Sequence, residues 1–442
     1  MNAVIPPILV AYLGGFQSGF SKPNFAYFQG YMWSLLMTTG HKCMTHIAQT
    51  CFFLDRHLSS WERFLSENRW DLRAMSKTLV QLLIAKLGDS LKVHGAYLAA
   101  IDTTLIAKML GKMLGVQKWH QASGNADRGD AIVGHHWGII GLISFSVTLS
   151  RYLCWPILMR LIPGHHNPFL WIGDPHGVLT QATFWDAVLP LVYQMAEFLH
   201  QAPLRVVADA YFCKAPFIQP LLERGIHVIS RMRKDAVGWD DPVYCGRGRR
   251  PKHGKKWKLA QLVTHFPPEI ITAFLYGKTV QLAVVVRDVW IREVSQKVRV
   301  VVVEGIRAPL IFLCTDLSLS AAQILEIYGA RFSIELALRY LKGHLGLGDY
   351  QCTTFQAILR FVHLACTALS LFRLILLKED THSMEGQTNT ESFKKEVPLS
   401  LTTLRRRFRA FAFQRILSSK SALEADLQKG DPKVEQLLRI AA

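Results

Sequence analysis

Two short apolar runs that each lead into an aspartate, GAYLAAIDTT (95–104) and LRVVADAYF (204–212), constrain this chain more than any other feature. Each reads as a buried strand. An acid at the end of a buried strand is costly unless it is paired or binds a metal, so Asp102 and Asp209 are candidate site residues. A helix N-cap is the structural alternative, above all for Asp102 before TTLIAKML. Between the two runs lie a polar, Gly-containing loop (121–130), two apolar segments read as a hairpin of strands, AIVGHHWGIIG and LISFSVTLS, and a helix over about 182–201. After the second run, a helix across 215–224 leads into the strand GIHVISRM. Three adjacent strands, a helix, then strand–helix–strand predict an α/β fold, a mixed sheet flanked by helices.

Residues 1–90 space apolar residues three and four apart and are expected to be helical, as a DNA-binding module or a plain bundle. Residues 236–307 open basic and Gly-rich and continue with β-rich runs, which predicts a mainly β insertion between two pieces of the α/β domain, 91–235 and 308–378. A polar linker (379–398) and a helix carrying Arg405, Arg406, Arg407, Arg409 and Arg415 complete a tail over 379–442. Lys and Arg outnumber Asp and Glu by 51 to 33, which favours a polyanionic partner, nucleic acid or an acidic membrane surface. The most apolar stretches, 138–163 and 361–377, are interrupted by Arg151 and by His363 and Arg373. They fall short of the roughly 20 apolar residues of a spanning helix and are expected to be buried core, with no membrane partner. Eight scattered cysteines without C-x-x-C spacing fit reduced thiols in a cytosolic protein.

The segment YGARFSIELALRYLK (328–342) adds a third acid. On one continuous helix Tyr328, Arg331, Glu335 and Lys342 share an arc of about 60°, beside an apolar stripe of Ile334, Leu338, Leu341 and Leu345. A carboxylate flanked by two cations and a phenol suits a site that holds a metal and grips phosphate oxygens. A solvated face with an Arg331–Glu335 i,i+4 pair shows the same pattern. Glu326 falls about 180° from Glu335, and Gly343 is expected to end the helix near Lys342. Asp127, Asp130 and Asp174 read as turn residues, and His135 and His136 as structural. The segment GRGRRPKHGKKWK (246–258) carries Arg247, Arg249, Arg250, Lys252, Lys255, Lys256 and Lys258 without an acid, which suits phosphate contacts. Trp239, Trp257 and Trp290 read first as core residues, with base stacking as the functional alternative.

Tyr328, Arg331, Glu335 and Lys342 match, at every spacing, the Tyr-(2)-Arg-(3)-Glu-(6)-Lys signature of a large group of bacterial insertion-sequence transposases with DDE chemistry, which this chain resembles over 95–378. AIDTT and VVADAYF are similar to the contexts of that family's two aspartates. The resemblance implies a ribonuclease H-like core with a β-rich insertion before the glutamate. It implies Asp102, Asp209 and Glu335 as catalytic carboxylates and ligands of two Mg²⁺ or Mn²⁺ ions per active site, with Tyr328, Arg331 and Lys342 positioning DNA phosphates. The implied partners are double-stranded DNA, as terminal inverted repeats and target, and a second subunit in a synaptic homodimer; the implied location is the cytoplasm, at the nucleoid. A silent or repurposed relative that only binds DNA would keep the basic segments and lose a carboxylate; all three are present.

Overall fold

A computed structural model describes residues 4–108, 113, 115–120, 131–162, 183–244, 246, 251–305, 308–382 and 400–418. The expectations for Asp127, Asp130 and Asp174, for Arg247, Arg249 and Arg250, and for 383–398 of the polar linker lie outside the described residues. Helices come first: α1 (Pro7–Gly14), α2 (Lys22–Met37), α3 (Met44–Thr50), α4 (Leu58–Ser66) and α5 (Leu72–Leu87). Then follow β1 (Lys92–Val93), β2 (Ala96–Ala107), β3 (Gln117–His120), β4 (Ala131–Ser146) and β5 (Arg151–Leu161). Next are α6 (Phe184–Phe198), β6 (Leu204–Ala208), α7 (Ala215–Leu222) and β7 (His227–Arg231). A β-rich stretch comprises β8 (Val237–Trp239), β9 (Lys256–Lys258), the short α8 (Leu262–His265), β10 (Glu269–Leu275), β11 (Lys278–Val289), β12 (Val298–Val303) and β13 (Leu310–Cys314). The chain closes with α9 (Ala321–Ala330), α10 (Phe332–His344), α11 (Phe355–His382) and α12 (Leu401–Ser418).

β2, β4 and β5 pair antiparallel as successive neighbours, while β6 and then β7 add in parallel on the other side of β2. The order β5-β4-β2-β6-β7 is that of a ribonuclease H-like mixed sheet. β13, β12, β11 and β10 continue the same sheet antiparallel beyond β7, and among the described strands only β8 and β9 form a separate ribbon. Both faces of the central strands are covered, which is why β6 is an unbroken buried run. On β4, Gly138 leaves room for Leu191 and Val188 of α6. Trp137, one residue earlier and so on the opposite face, donates to the Tyr350 hydroxyl, which follows α10. The far edge of the sheet returns to the start: Phe274 on β10 meets Phe145 on β4 at 5.8 Å, with α9 packed against β5, β7, β10 and β13.

Four local expectations change. The hairpin turn does not fall between GIIG and LISFS: both belong to β4, and the partner strand is β5. Gly141 serves close approach instead, since a Cβ there would lie 2.6 Å from Cys154 Sγ and 2.7 Å from the Trp155 carbonyl, at a register shift in the β4–β5 pairing. Asp102 does not end its strand, because β2 runs on to Ala107 paired with β4; the N-cap alternative for Asp102 disappears with the helix that would need it. The helix expected over 328–342 breaks at Arg331, where Arg331 N–H donates to the Tyr328 carbonyl and Ile334 N–H to the Arg331 carbonyl, three residues apart. The joint lets α9 pack on β10 while α10 packs on β5 and β2, and α10 runs through Gly343 to His344.

The fourth concerns α11. Its segment Phe355–Leu377 is long and apolar enough to cross a membrane, but 94% of its most apolar window is buried inside this fold. It packs on β5 and on α2, α4 and α5. The polar residues that interrupt it bond within the core: His363 Nε2 accepts from Met159 N–H at 3.2 Å, and Arg373 donates to the Cys154 carbonyl.

Candidate active site

Strand register sets the first part of the site. Ala100 on β2 faces Val207 on β6, and the same offset carried two residues further sets Asp102 beside Asp209. Both side chains then point to one face, since residues two apart on a strand share a face. β6 ends at Ala208 while β2 continues, so the two acids sit where the parallel sheet opens. Local bonds hold them: Asp102 Oδ1 accepts from Thr103 N–H at 2.7 Å, and Asp209 Oδ1 accepts from Tyr211 N–H at 3.0 Å. The Ser230 hydroxyl on β7 donates to the Asp209 carbonyl at 2.7 Å.

The joint between α9 and α10 supplies the rest. The Arg331 guanidinium lies 2.6 Å from Glu335 Oε1 and 3.7 Å from Asp102 Oδ2, so it bridges an acid of the helix and an acid of the sheet. It also lies 5.6 Å from the centre of the Tyr328 ring, which packs edge-on against Phe312 of β13. Further along α10, Lys342 Nζ donates to the Leu105 carbonyl of β2 at 3.2 Å. Tyr328, Arg331, Glu335 and Lys342 thus all come to this end of the sheet, although two helices carry them. Glu326 points elsewhere, as expected, accepting from the Tyr152 hydroxyl at 2.5 Å and lying 3.0 Å from His94 Nε2.

Charge is out of balance here. Burial raises the Asp102 carboxyl from 3.8 to about 6; the Thr103 N–H and Arg331 oppose that rise, and the negative charges of Asp209 and Glu335 add to it. Burial also works against the Arg331 charge, but Tyr328, Glu335 and Asp102 hold its pKa above the ordinary arginine value. Among the described residues no three His, Cys, Asp or Glu side chains are already gathered as a metal cluster. The Arg331 guanidinium bridges Asp102 and Glu335 instead. The donor set nevertheless fits a hard divalent cation: three carboxylates, one of them pushed up by burial first and by its two acidic neighbours in addition, and a bound cation would favour its charged form.

Sequence reasoning missed a neighbour. Tyr211, two residues past Asp209, is 50% exposed, with Lys214 Nζ 4.2 Å from its ring centre and Trp185 stacked at 6.2 Å. An aromatic beside the second acid was legible in VVADAYF, but its exposure was not. Arg231, at the end of β7, was passed over as a strand residue and acts electrostatically on Tyr328.

The other candidates lie apart or are spent on structure. Lys252, Lys255 and Lys256 are exposed on or beside the separate β8–β9 ribbon. Trp257 is buried there and donates to Asp240 at 2.6 Å, and Trp290 donates to Asp241 at 3.0 Å. Trp239 stacks on His253 at 4.9 Å. Of the arginine-rich helix, Arg405 donates to the Leu36 carbonyl at 2.6 Å, while Arg406 and Arg407 are exposed. His135 is fully buried, with Nδ1 2.7 Å from the Tyr350 hydroxyl.

Residues 16–268 match a family model described as DDE superfamily endonuclease, and residues 190–371 match one described as transposase DDE domain. Asp102 and Asp209 fall in the first match, and Asp209 and Glu335 in the second. No curated protein matches the chain.

Proposed function

Because this chain belongs to the DDE superfamily of endonucleases, whose transposases act on DNA with divalent metal ions, we propose that it is a transposase that cuts and joins transposon-end DNA. The observation that carries this is the register that sets Asp102 beside Asp209 at the mouth of the parallel strands, with Glu335 tied to Asp102 through Arg331. The spacing from Tyr328 to Lys342 supports membership of the bacterial insertion-sequence group. In this proposal 91–235 and 308–378 form the catalytic domain, 1–90 and 379–442 are accessory regions, and the basic segment 246–258 within 236–307 contacts DNA.

Asp102, Asp209 and Glu335 would hold two Mg²⁺ or Mn²⁺ ions. Bound there, such ions supply charge neutralisation on the phosphoryl oxygens and activation of the attacking oxygen. The protein's own side chains do the positioning. Arg331 draws Glu335 toward Asp102, and Arg331, Lys342 and Tyr328 offer two cations and a phenol to phosphate oxygens. Hydrolysis at the transposon end breaks a P–O bond and leaves a 3′-hydroxyl. That hydroxyl then attacks a second phosphodiester, whose own 3′-oxygen leaves as the new bond forms. Bringing two ends together calls for a homodimer on double-stranded DNA.

Purified protein given its own element's terminal repeats is expected to cut them only with Mg²⁺ or Mn²⁺. Glu335→Gln is expected to reduce cutting by ~100-fold or more and to leave binding nearly unchanged. Cutting that survives the substitution overturns the role of Glu335.

A further inference from the structure

On the other side of α10 from the carboxylates, β5, α10 and α11 leave a cleft of about 250 Å³. Arg151 opens β5 there, Arg339 stands on α10, Arg373 reaches in from α11, and His344 ends α10. Among the described residues no aspartate or glutamate lines it. Tyr152, on the rim, directs its hydroxyl to Glu326, which is already engaged with His94. Cations gathered without a counter-charge repel one another, and partial burial makes that repulsion costlier. Arg373 shows the strain, its pKa pushed down to about 10 by burial first and by Arg151 in addition.

Two polar atoms in the lining are also unsatisfied. Ser333, 5% exposed, has a buried hydroxyl with no hydrogen-bond partner, and Arg151 Nε is buried without one. A hydroxyl and a guanidinium N–H left unsatisfied in a cleft with further arginines are the donors that an oxyanion takes up. The cleft also belongs to the same neighbourhood as the acids, since the Asp102 charge acts on Cys154 in its lining. On α10, Ser333 and Tyr340 lie about 140–160° around the helix from Glu335, and exposed Arg339 lies between.

We propose that this cleft is a second anion site that takes a backbone phosphate of the DNA whose other phosphate lies at the carboxylates. This rests on the transposase reading. A strand leaving Glu335 over the exposed shoulder of α10 meets Arg339 and then the cleft, and that continuity favours DNA over a free anion.

The test is fluorescence anisotropy of the full chain with a labelled duplex of its terminal repeat, in EDTA so that nothing is cut. Arg151→Gln/Arg339→Gln is expected to weaken binding ~10-fold and to lower the slope of log K against log salt by about 1 to 2. Lys92→Gln/Arg224→Gln, which removes the same charge from exposed positions before β2 and β7, at the end of the parallel strands away from Asp209, is expected to stay within ~2-fold. Arg339→Glu alone repeats the measurement at an exposed residue if the double variant melts early. Normal DNA binding by the cleft variants overturns the cleft and leaves the transposase reading standing. Equal losses in both pairs assign the effect to net charge and overturn it as well. Inorganic phosphate that raises Tm of the wild type only, with DNA affinity unchanged in the variants, identifies a free-anion site and overturns the DNA assignment. A wild type that binds no duplex sinks both.

Discussion

Asp102 is where burial and charge conflict most openly. Its folded pKa of about 6 stands above the ordinary 3.8, so the fold binds a proton there more tightly than the unfolded chain does. The contribution of protonated Asp102 is therefore present below pH 4 and lost as pH rises through 6. A shift of that size corresponds to at most about 3 kcal/mol, and the 18% exposure of the side chain leaves little solvent screening. Without divalent ions, Asp102→Asn is expected to raise Tm at pH 8, with the gain fading toward pH 4. Mg²⁺ or Mn²⁺ is expected to raise Tm of the wild type and not of the variant. A gain of equal size at all pH values would mean that packing, not charge, causes it. The candidacy of Asp102 was legible as an acid closing an apolar run. Its pairing with Asp209 was not, because that depends on the offset between two strands more than a hundred residues apart.

Helices show a different kind of limit. Periodicity over 328–342 grouped four residues that do come to one end of the sheet, but with a different geometry: one helix was expected, and the joint at Arg331 follows from which strands α9 and α10 must cover. Helix α11 carries the other lesson: Arg373 looked like an interruption and is a connector, and Arg360, just before the apolar stretch, is another. Arg360 donates to the carbonyls of Leu65 at 2.9 Å and Trp70 at 2.8 Å, and lies 4.3 Å from the centre of the Trp70 ring. One planar fork thereby ties the end of α4 and the segment after it to the core helix. Burial pushes its pKa down to about 10, yet its carbonyl partners have no other described donor of this reach. Lysine offers a point charge without the fork. Arg360→Lys is expected to cost about 2 kcal/mol in denaturant unfolding and to speed hydrogen exchange selectively in α4. Unchanged exchange in α4 would show that Trp61, Phe64 and Leu65 anchor it unaided.

At the scale of the whole molecule, the order strand–strand–strand–helix–strand–helix–strand was legible and corresponds to β2, β4, β5, α6, β6, α7 and β7, although the boundary within β4 was not. The β-rich segment was legible as a change of texture. That its strands extend the main sheet and return to β4 was not, because edge pairing leaves no periodic mark in one sequence. The junction of β5 with α11 makes global stability respond to acid. His363 Nε2 accepts from Met159 N–H, and His363 Nδ1 meets the Leu359 carbonyl at 2.8 Å, so the ring is held neutral with its acceptor facing a donor. Burial lowers its pKa from 6.5 to about 4, and burial lowers that of His136 on β4 to about 4 as well. The unfolded chain takes up protons on these rings at a pH where the fold does not. Their stabilising contribution is complete above pH 6.5 and is lost as pH falls from there to 4. Asp102 acts in the opposite direction over the lower part of this range, but one acid opposes two histidines. Stability is expected to rise from pH 4.5 to 6.5 and then level off, with His363 supplying up to about 3 kcal/mol. His363→Gln, which keeps an acceptor for Met159 and cannot titrate, is expected to remove most of the rise, because His136 and Asp102 then nearly cancel. A profile that stays as steep in this variant would place the acid sensitivity outside the β5–α11 junction.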